Sequence, residues 1–186
     1  DKVNSLRPDI IVFTGDLIYD DITQDELNQL EDYFSNLEAK IGKYAVFGND
    51  DDTARILIKN AGFMDIENNY DLIYNDNYDA IMINGISQDS PNIMHAYSFL
   101  ENNQDNIFTI SLIHQPDTVT DILSQYSVDL VLAGHSHNGQ VRLPFTEALV
   151  KMEGAKKYYE EKYIINNTTL FISRGIGTSN YPFRIF

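Results

Sequence analysis

Residues 130–140 read LVLAGHSHNGQ and combine a strand signal with a histidine pair. The first four residues are apolar, which is typical of a buried β-strand, and the glycines that follow allow a tight turn at its end. Side chains two residues apart on an extended chain point the same way, so the rings of His135 and His137 can reach a common region. Neutral imidazole is the commonest protein ligand of transition metals. The stretch therefore predicts a strand that ends in metal ligands, with two surface histidines in a turn as the alternative.

Three other apolar runs also end in residues that can bind a metal. They are residues 10–13 before Gly15-Asp16, residues 44–47 before Gly48-Asn49-Asp50-Asp51, and residues 108–113 before His114. Open α/β sheets bind ligands beyond the carboxyl ends of their strands. We therefore expect the polar residues that follow these runs and residues 130–133 to converge on one site.

The order of these motifs resembles that of the calcineurin-like metallophosphoesterases. The family pattern has five blocks: D-x-H, G-D, G-N-H-[DE], a lone His and G-H-x-H. Four blocks occur here in family order, as Gly15-Asp16, Gly48-Asn49, His114 and residues 134–137. The resemblance covers nearly the whole chain and implies an α/β fold of mixed α+β type, a four-layer αββα sandwich of two mixed sheets flanked by helices. We expect one metallophosphoesterase domain over residues 1–186.

Two segments carry a closer likeness within this family. Residues 135–144 and 173–179 look like the bacterial branch of membrane-associated or exported phosphodiesterase-like phosphoesterases. That branch usually has Gly where Asn138 stands, but Asn also tolerates left-handed backbone angles. The likeness leaves the location open between the cytoplasm and a membrane-associated or exported state, and it allows membrane association of the full-length protein.

Two departures from the family pattern bear on activity. The D-x-H block is missing, because the chain starts at Asp1 in what looks like the end of a first helix. We therefore expect a domain truncated before its first strand and also lacking its last residues. In addition, Asp50 stands where the family has the catalytic His of G-N-H-[DE].

The resemblance implies two divalent transition metal ions. It assigns Asp16 to both metals, Asn49, His114 and His135 to the second metal, and His137 to the first. The second metal then has four ligands from this chain, whereas the first keeps two, so we expect only one ion to be fully liganded here. Nitrogen and oxygen ligands favour Mn, Fe, Zn, Ni or Co and do not choose among them.

The implied reaction is hydrolysis of a phosphoester, and we expect a phosphodiester, by a metal-bound hydroxide at the dinuclear site. Asn49 and Asp50 are the expected catalytic residues. Asp50 can assist the leaving group only if burial and its acidic neighbours keep it protonated. An extra metal ligand and a solvated acidic turn are the other interpretations of Asp50. The alternative function is a degenerate family member that binds metal or ligand without turnover.

Composition and two arginines complete the functional expectations. Net charge is −15, from 28 acidic and 13 basic residues, so no nucleic-acid partner is expected and a small phosphoester is the expected substrate. The absence of cysteine excludes disulfides and thiolate metal sites. Arg142 and Arg174 lie in family-like segments, and either could bind substrate phosphate bidentately. A structural salt bridge is the alternative for both.

Periodicity predicts the remaining elements. An amphipathic helix is expected over residues 20–42, with a capping box formed by Thr23 and Glu26. Further elements are expected as helices at 53–60, 90–102 and 117–125, strands within 66–85, a helical turn at 145–151, and a hairpin of residues 158–166 and 168–173.

Overall fold

The computed structural model describes residues 2–18, 22–49, 51–102, 107–139 and 151–177. Within these ranges the strands are β1 (Ile10–Phe13), β2 (Gly42–Ala45), β3 (Met64–Asp65), β4 (Asn69–Tyr74), β5 (Ala80–Gly85), β6 (Phe108–Leu112), β7 (Leu130–Ala133), β8 (Lys162–Ile165) and β9 (Thr168–Ile172). The helices are α1 (Lys2–Ser5), α2 (Gln24–Ser35), α3 (Asp52–Asn60), α4 (Ile93–Ala96), α5 (Ser98–Asn102) and α6 (Val119–Leu123). Short 3₁₀ turns cover Pro116–Thr118 and His137–Gly139.

The strands form two sheets, which confirms the predicted two-sheet α/β fold. One sheet has the order β1-β2-β3, and the other has the order β4-β5-β6-β7-β9-β8. The six-stranded sheet is mixed, because β4 and β8 pair antiparallel with their neighbours. The described part of the three-stranded sheet is parallel throughout, since α2 and α3 act as the crossovers between its strands.

Three apolar clusters separate the layers. Alternation along β1 shows how they arise: Ile10 and Val12 pack between the two sheets, whereas Ile11 and Phe13 face α2 and α3. The third cluster covers the other face of the six-stranded sheet, where Met82, Val131 and Leu170 join α4 and α6. The layers therefore follow the order helix, sheet, sheet, helix.

The helix predicted over residues 20–42 is shorter than expected. It begins directly after the N-cap Thr23, whose predicted capping box with Glu26 is present, and it ends at Ser35. The N–H groups of Lys40 and Ile41 instead donate to the carbonyls of Pro8 and Asp9, at 3.1 and 2.8 Å. Tertiary pairing next to β1 thus ends the helix before its apolar pattern does.

Other boundaries shift by smaller amounts. The predicted helix at 90–102 is broken into α4 and α5 around Tyr97, whose buried ring stacks on Tyr126 at 4.4 Å. The helix at 117–125 begins as a 3₁₀ turn. The predicted hairpin is confirmed as β8 and β9. The helical turn predicted at 145–151 falls largely outside the described residues. Among the helices of the described ranges, none has the length and apolarity to span a bilayer.

Candidate metal centre

Parallel pairing brings two histidines to the same edge of the six-stranded sheet. Strands β6 and β7 are neighbours, with Leu112 opposite Leu132. His114 and His135 follow these strands closely, and the N–H of Gly134 donates to the carbonyl of His114 at 3.1 Å. Asp16 reaches the same place from the end of β1 in the other sheet. The predicted convergence of these three residues is therefore present.

The three side chains face one another at short distances. Oδ2 of Asp16 lies 3.2 Å from Nε2 of His114 and 3.6 Å from Nδ1 of His135. The two imidazole nitrogens are 3.0 Å apart. One ligand atom from each residue lies within 4.8 Å of the other two, which is close enough for all three to bind one ion.

The outer nitrogen of each ring is fixed by a backbone carbonyl. Nδ1 of His114 lies 2.6 Å from the carbonyl oxygen of Thr14, and Nε2 of His135 lies 2.7 Å from that of Glu153. A carbonyl only accepts, so these nitrogens carry the hydrogen and the inner nitrogen of each neutral ring presents a lone pair. Two lone pairs and a carboxylate then face one point. This donor set fits a divalent transition metal.

The electrostatics of the cluster reflect the same geometry. Burial alone would raise the pKa of the Asp16 carboxyl, but hydrogen bonds and charge from His114 and His135 hold it well below its usual range. Burial would lower the pKa of His114, whose side chain is 0% exposed. The hydrogen bond and charge of Asp16, with smaller contributions from the Thr14 carbonyl and Asp51, nevertheless raise that pKa above its ordinary value.

The backbone around the site is unusual. Asp16, His135, His137 and Asn138 have φ values of 60°, 62°, 50° and 55°, in the left-handed region. Such conformations cost of order 1–3 kcal/mol each and persist when surrounding contacts enforce them. The related branch usually has Gly at position 138, and Asn138 adopts the left-handed backbone geometry that Gly readily takes.

Gly15 and Gly48 allow the loops after β1 and β2 to pack closely against each other and against His114. A Cβ at Gly48 would overlap Oδ1 of Asp16 and lie 2.6 Å from Cε1 of His114. A Cβ at Gly15 would overlap the ring of His114, and Gly15 also has a φ of 93°. The loops after β1 and β2 therefore approach the imidazole as closely as backbone allows.

Asp51 is a structural member of the site that sequence reasoning did not identify. Its side chain is buried, and one oxygen accepts the N–H groups of Asp16 and Gly48, each at 2.7 Å. The other oxygen accepts the N–H of Leu17 at 3.2 Å. Asp51 thus ties the loop after β1 to the loop after β2. Its place two residues after Asn49, at the [DE] position of the third family block, was the available signal.

The other predicted residues occupy different positions. Asn49 is exposed in the loop after β2 and lines a cavity of about 190 Å³ together with Asp51, Asp52, Arg55 and Asp89. His137 is half-buried in the 3₁₀ turn and is not a member of the three-residue cluster. Arg174 is exposed and pairs with Glu161. Asp50 and Arg142 lie outside the described residues.

Comparison with known proteins identifies the family of this chain. Residues 1–139 match the family model described as calcineurin-like phosphoesterase. The chain is 30% identical over 191 residues to the uncharacterized metallophosphoesterase YkuE of Bacillus subtilis, covering 98% of this chain and 65% of that protein. It therefore belongs to the calcineurin-like phosphoesterases, a family of hydrolases.

Two further relatives extend this comparison. The uncharacterized metallophosphoesterase YkoQ of Bacillus subtilis is 28% identical, with 95% of this chain and 68% of YkoQ covered. The UDP-2,3-diacylglucosamine pyrophosphatase LpxG of Chlamydia muridarum is 25% identical, with 95% of this chain and 70% of LpxG covered. The chain thus spans about two thirds of the length of these proteins. No solved structure matches it significantly.

Proposed function

We propose that this chain carries the catalytic core of a metal-dependent phosphoesterase that cleaves phosphodiester or pyrophosphate bonds. The observation that carries the proposal is the convergence of Asp16, His114 and His135, with both outer ring nitrogens already occupied by backbone carbonyls. Membership of the calcineurin-like family supports the reaction class.

The ligand assignments extend this cluster. Asp16, His114 and His135 would hold one divalent ion, and Asn49 would complete its set from the loop that crosses Asp16 at Gly48. His137 and Asp16 would contribute to a second ion. When bound, such ions polarise phosphoryl oxygens and lower the pKa of a bound water to roughly 7.

The chain's own residues orient and enclose this centre. The carbonyls of Thr14 and Glu153 fix the two rings, so their inner nitrogens are presented without rearrangement. Asp51 holds Asp16 and Gly48 in place through their backbone N–H groups. Preorganisation of this kind reduces the cost of assembling the site when substrate binds.

Position 50 favours a particular substrate class. The cavity beside Asn49 provides space at the loop after β2 for part of the substrate. Asp50, in place of the family His, offers weaker protonation of that group. Leaving groups that need little protonation, such as a nucleotide phosphate or a phenolate, are therefore the expected substrates. Among the relatives, LpxG carries the name of a pyrophosphatase.

Of the two proposed substrate arginines, Arg142 is the better candidate. Arg174 already pairs with Glu161, which supports the structural salt bridge for this residue. Arg142, which lies in the family-like segment of residues 135–144, is the proposed phosphate contact.

The proposal is tested by metal analysis combined with hydrolysis of bis-p-nitrophenyl phosphate. The full-length protein should contain divalent metal and cleave the diester, and Asp16→Asn should lose both properties. His95→Ala is the matched control, because His95 is exposed and lies outside the cluster. Metal-loaded protein that cleaves neither this diester nor a pyrophosphate diester would contradict the enzyme proposal.

A second candidate function follows from Asp50. A protein of this fold that lacks the catalytic His can bind metal and a phosphorylated ligand without turnover. Metal binding equal to that expected for the enzyme, tight binding of a phosphodiester and no product over prolonged incubation would favour this candidate.

A further inference from the structure

We propose that Asp117 is a positioning residue for His135, acting through the segment of residues 153–159. This inference rests on the metal centre proposed above and adds a residue that belongs to none of the family motifs. Asp117 lies three residues after His114, in the 3₁₀ turn Pro116–Thr118. The four residues from His114 to Asp117 thus include both a proposed metal ligand and the anchor of a segment that contacts another proposed ligand.

Asp117 binds this segment with both its side chain and its backbone. Its carboxylate accepts the N–H groups of Lys156, Lys157 and Tyr158 at 2.8, 3.1 and 2.9 Å. Its own N–H donates to the carbonyl of Gly154 at 2.9 Å. A carboxylate that receives several backbone donors holds a loop in one conformation, since each donor would otherwise need another partner.

A second anchor comes from the histidine motif itself. The hydroxyl of Ser136 donates to the carbonyl of Tyr159 at 3.0 Å, and its oxygen accepts the N–H of Asn138 at 3.2 Å. Ala155, which lies between the Gly154 and Lys156 contacts of Asp117, is 0% exposed. A Cβ at Gly154 would overlap the side chain of Gln115, so the segment packs directly on the turn that follows His114.

The result of this anchoring is the contact between Glu153 and His135. The Glu153 carbonyl lies 2.7 Å from Nε2 of His135, while the Glu153 side chain is 85% exposed. Glu153 contributes only its backbone carbonyl to this contact, so no side-chain replacement at position 153 can remove the acceptor. Asp117 is the residue through which the contact can be weakened.

Loss of this anchor should weaken metal binding without touching a ligand. A ligating histidine depends on the acceptor for its other ring nitrogen, and removal of such partners typically costs 10–100-fold in metal affinity. We expect Asp117→Ala to lower the affinity for Zn²⁺ within that range. Asp117→Asn keeps one acceptor oxygen and should give an intermediate loss.

The experiment compares both variants with Asp121→Ala in the full-length protein. Asp121 is an exposed carboxylate on α6 whose backbone carbonyl, rather than its side chain, accepts hydrogen bonds from Ser124 and Gln125. The control therefore removes the same charge four residues away. Zn²⁺ affinity is measured by calorimetry, and the ring nitrogens of the histidines are assigned in metal-free protein by long-range ¹H–¹⁵N correlation at about pH 8, above the ordinary imidazole pKa.

In wild type and Asp121→Ala, His135 should carry its hydrogen on Nε2. In Asp117→Ala, the His135 signals should shift toward a mixture of the two tautomers while those of His95 stay unchanged. Unchanged Zn²⁺ affinity together with unchanged His135 signals would overturn the role of Asp117. If the alanine variant does not fold, the same two outcomes for Asp117→Asn decide.

These results separate the two proposals. Wild-type protein that binds no Zn²⁺ contradicts the proposed metal centre, yet the ring spectra of metal-free protein still test the anchor. If Asp117→Ala binds Zn²⁺ as tightly as wild type and also keeps the wild-type His135 signals, the anchor is contradicted and the metal centre stands.

Discussion

Nε2 of His114 lies 3.0 Å from Nδ1 of His135, and both atoms face the carboxylate of Asp16. Carbonyl partners on the outer side of each ring leave the inner nitrogens of the neutral rings as acceptors. Acceptors held this close repel one another unless a proton or a cation lies between them. The fold therefore keeps an arrangement that a bound cation should stabilise.

Metal binding should consequently raise the thermal stability of the protein. At a free metal concentration 100-fold above Kd, linkage predicts about 2.7 kcal/mol. For a chain of this size that corresponds to roughly 5–10 °C in Tm. Calorimetric melting with EDTA and with added Mn²⁺ or Zn²⁺ measures the shift. His114→Ala should lose it and His95→Ala should keep it; equal shifts in both variants would place the bound ion elsewhere.

Asp51→Ala should destabilise the fold and the site together. The substitution removes the acceptor of three backbone N–H groups, those of Asp16, Leu17 and Gly48. Unsatisfied donors cost about 1–3 kcal/mol each when buried, and partial access of water should leave a total loss of about 2–4 kcal/mol. Denaturant unfolding measures this value.

Asp52→Ala is the matched control for that measurement. Asp52 is exposed in the first turn of α3, where a carboxylate contributes at most about 1 kcal/mol through the helix dipole. Similar destabilisation by the two substitutions would show that the buried hydrogen bonds of Asp51 do not carry the effect.

Gly48→Ala should abolish metal binding, because the new methyl group would occupy space now taken by Asp16 and the His114 ring. The Asp16 carboxylate must then move away from the imidazoles. Gly177→Ala provides the comparison, since a Cβ at that position meets no atom within 4 Å. Metal titration of both variants checks the prediction, and unimpaired binding by Gly48→Ala would mean that the loops separate at little cost.

The sequence predicted the strands that position the site more accurately than the partners that hold it. Strands β1 and β7 run over the predicted residues 10–13 and 130–133, because each is an apolar run ended by a short polar or glycine turn. The predicted end of α2 was wrong. Lys40 and Ile41 pair with the chain before β1, and no local sequence pattern reveals this contact.

The supporting residues could not be deduced for a related reason. Asp51 and Asp117 act on backbone N–H groups that lie about 35 and 40 positions away in the chain. Thr14 and Glu153 contribute carbonyl oxygens, which every residue possesses. Side-chain identity predicts ligands, whereas these contacts depend on the path of the backbone.

In metal-free protein, the His114–Asp16 pair should give a pH-dependent stability. The raised pKa of His114 means that its contribution is present below the unfolded value of about 6.5 and is lost as pH rises through the folded pKa. The lowered pKa of Asp16 means that its contribution is present above about 3.9 and is lost as pH falls through the folded pKa. The pair therefore stabilises most between about pH 4 and pH 6.5.

Unfolding in EDTA from about pH 5 to about pH 9, for wild type and Asp16→Asn, measures that contribution. The difference in unfolding free energy between the two proteins should be largest near pH 5–6 and should shrink toward about pH 9. A difference that stays constant from about pH 5 to about pH 9 would show that the charge on the pair does not determine this part of the stability.

Asp50→His should change the preference among leaving groups more than it changes binding. The family pattern has a His at this position, and an imidazole with a pKa near neutrality is a better proton donor at physiological pH than an ordinary carboxyl. A p-nitrophenolate leaves without protonation, so wild type and variant should cleave bis-p-nitrophenyl phosphate at similar rates. An alkoxide must be protonated as it leaves, and general acid catalysis typically contributes 10²–10⁴-fold.

We therefore expect Asp50→His to accelerate cleavage of an alkyl aryl diester at the alkyl bond, with the gain seen in kcat rather than in KM. Equal gains on both substrates would indicate that position 50 acts through the metals, and no gain on either would leave Asp50 as part of a solvated turn.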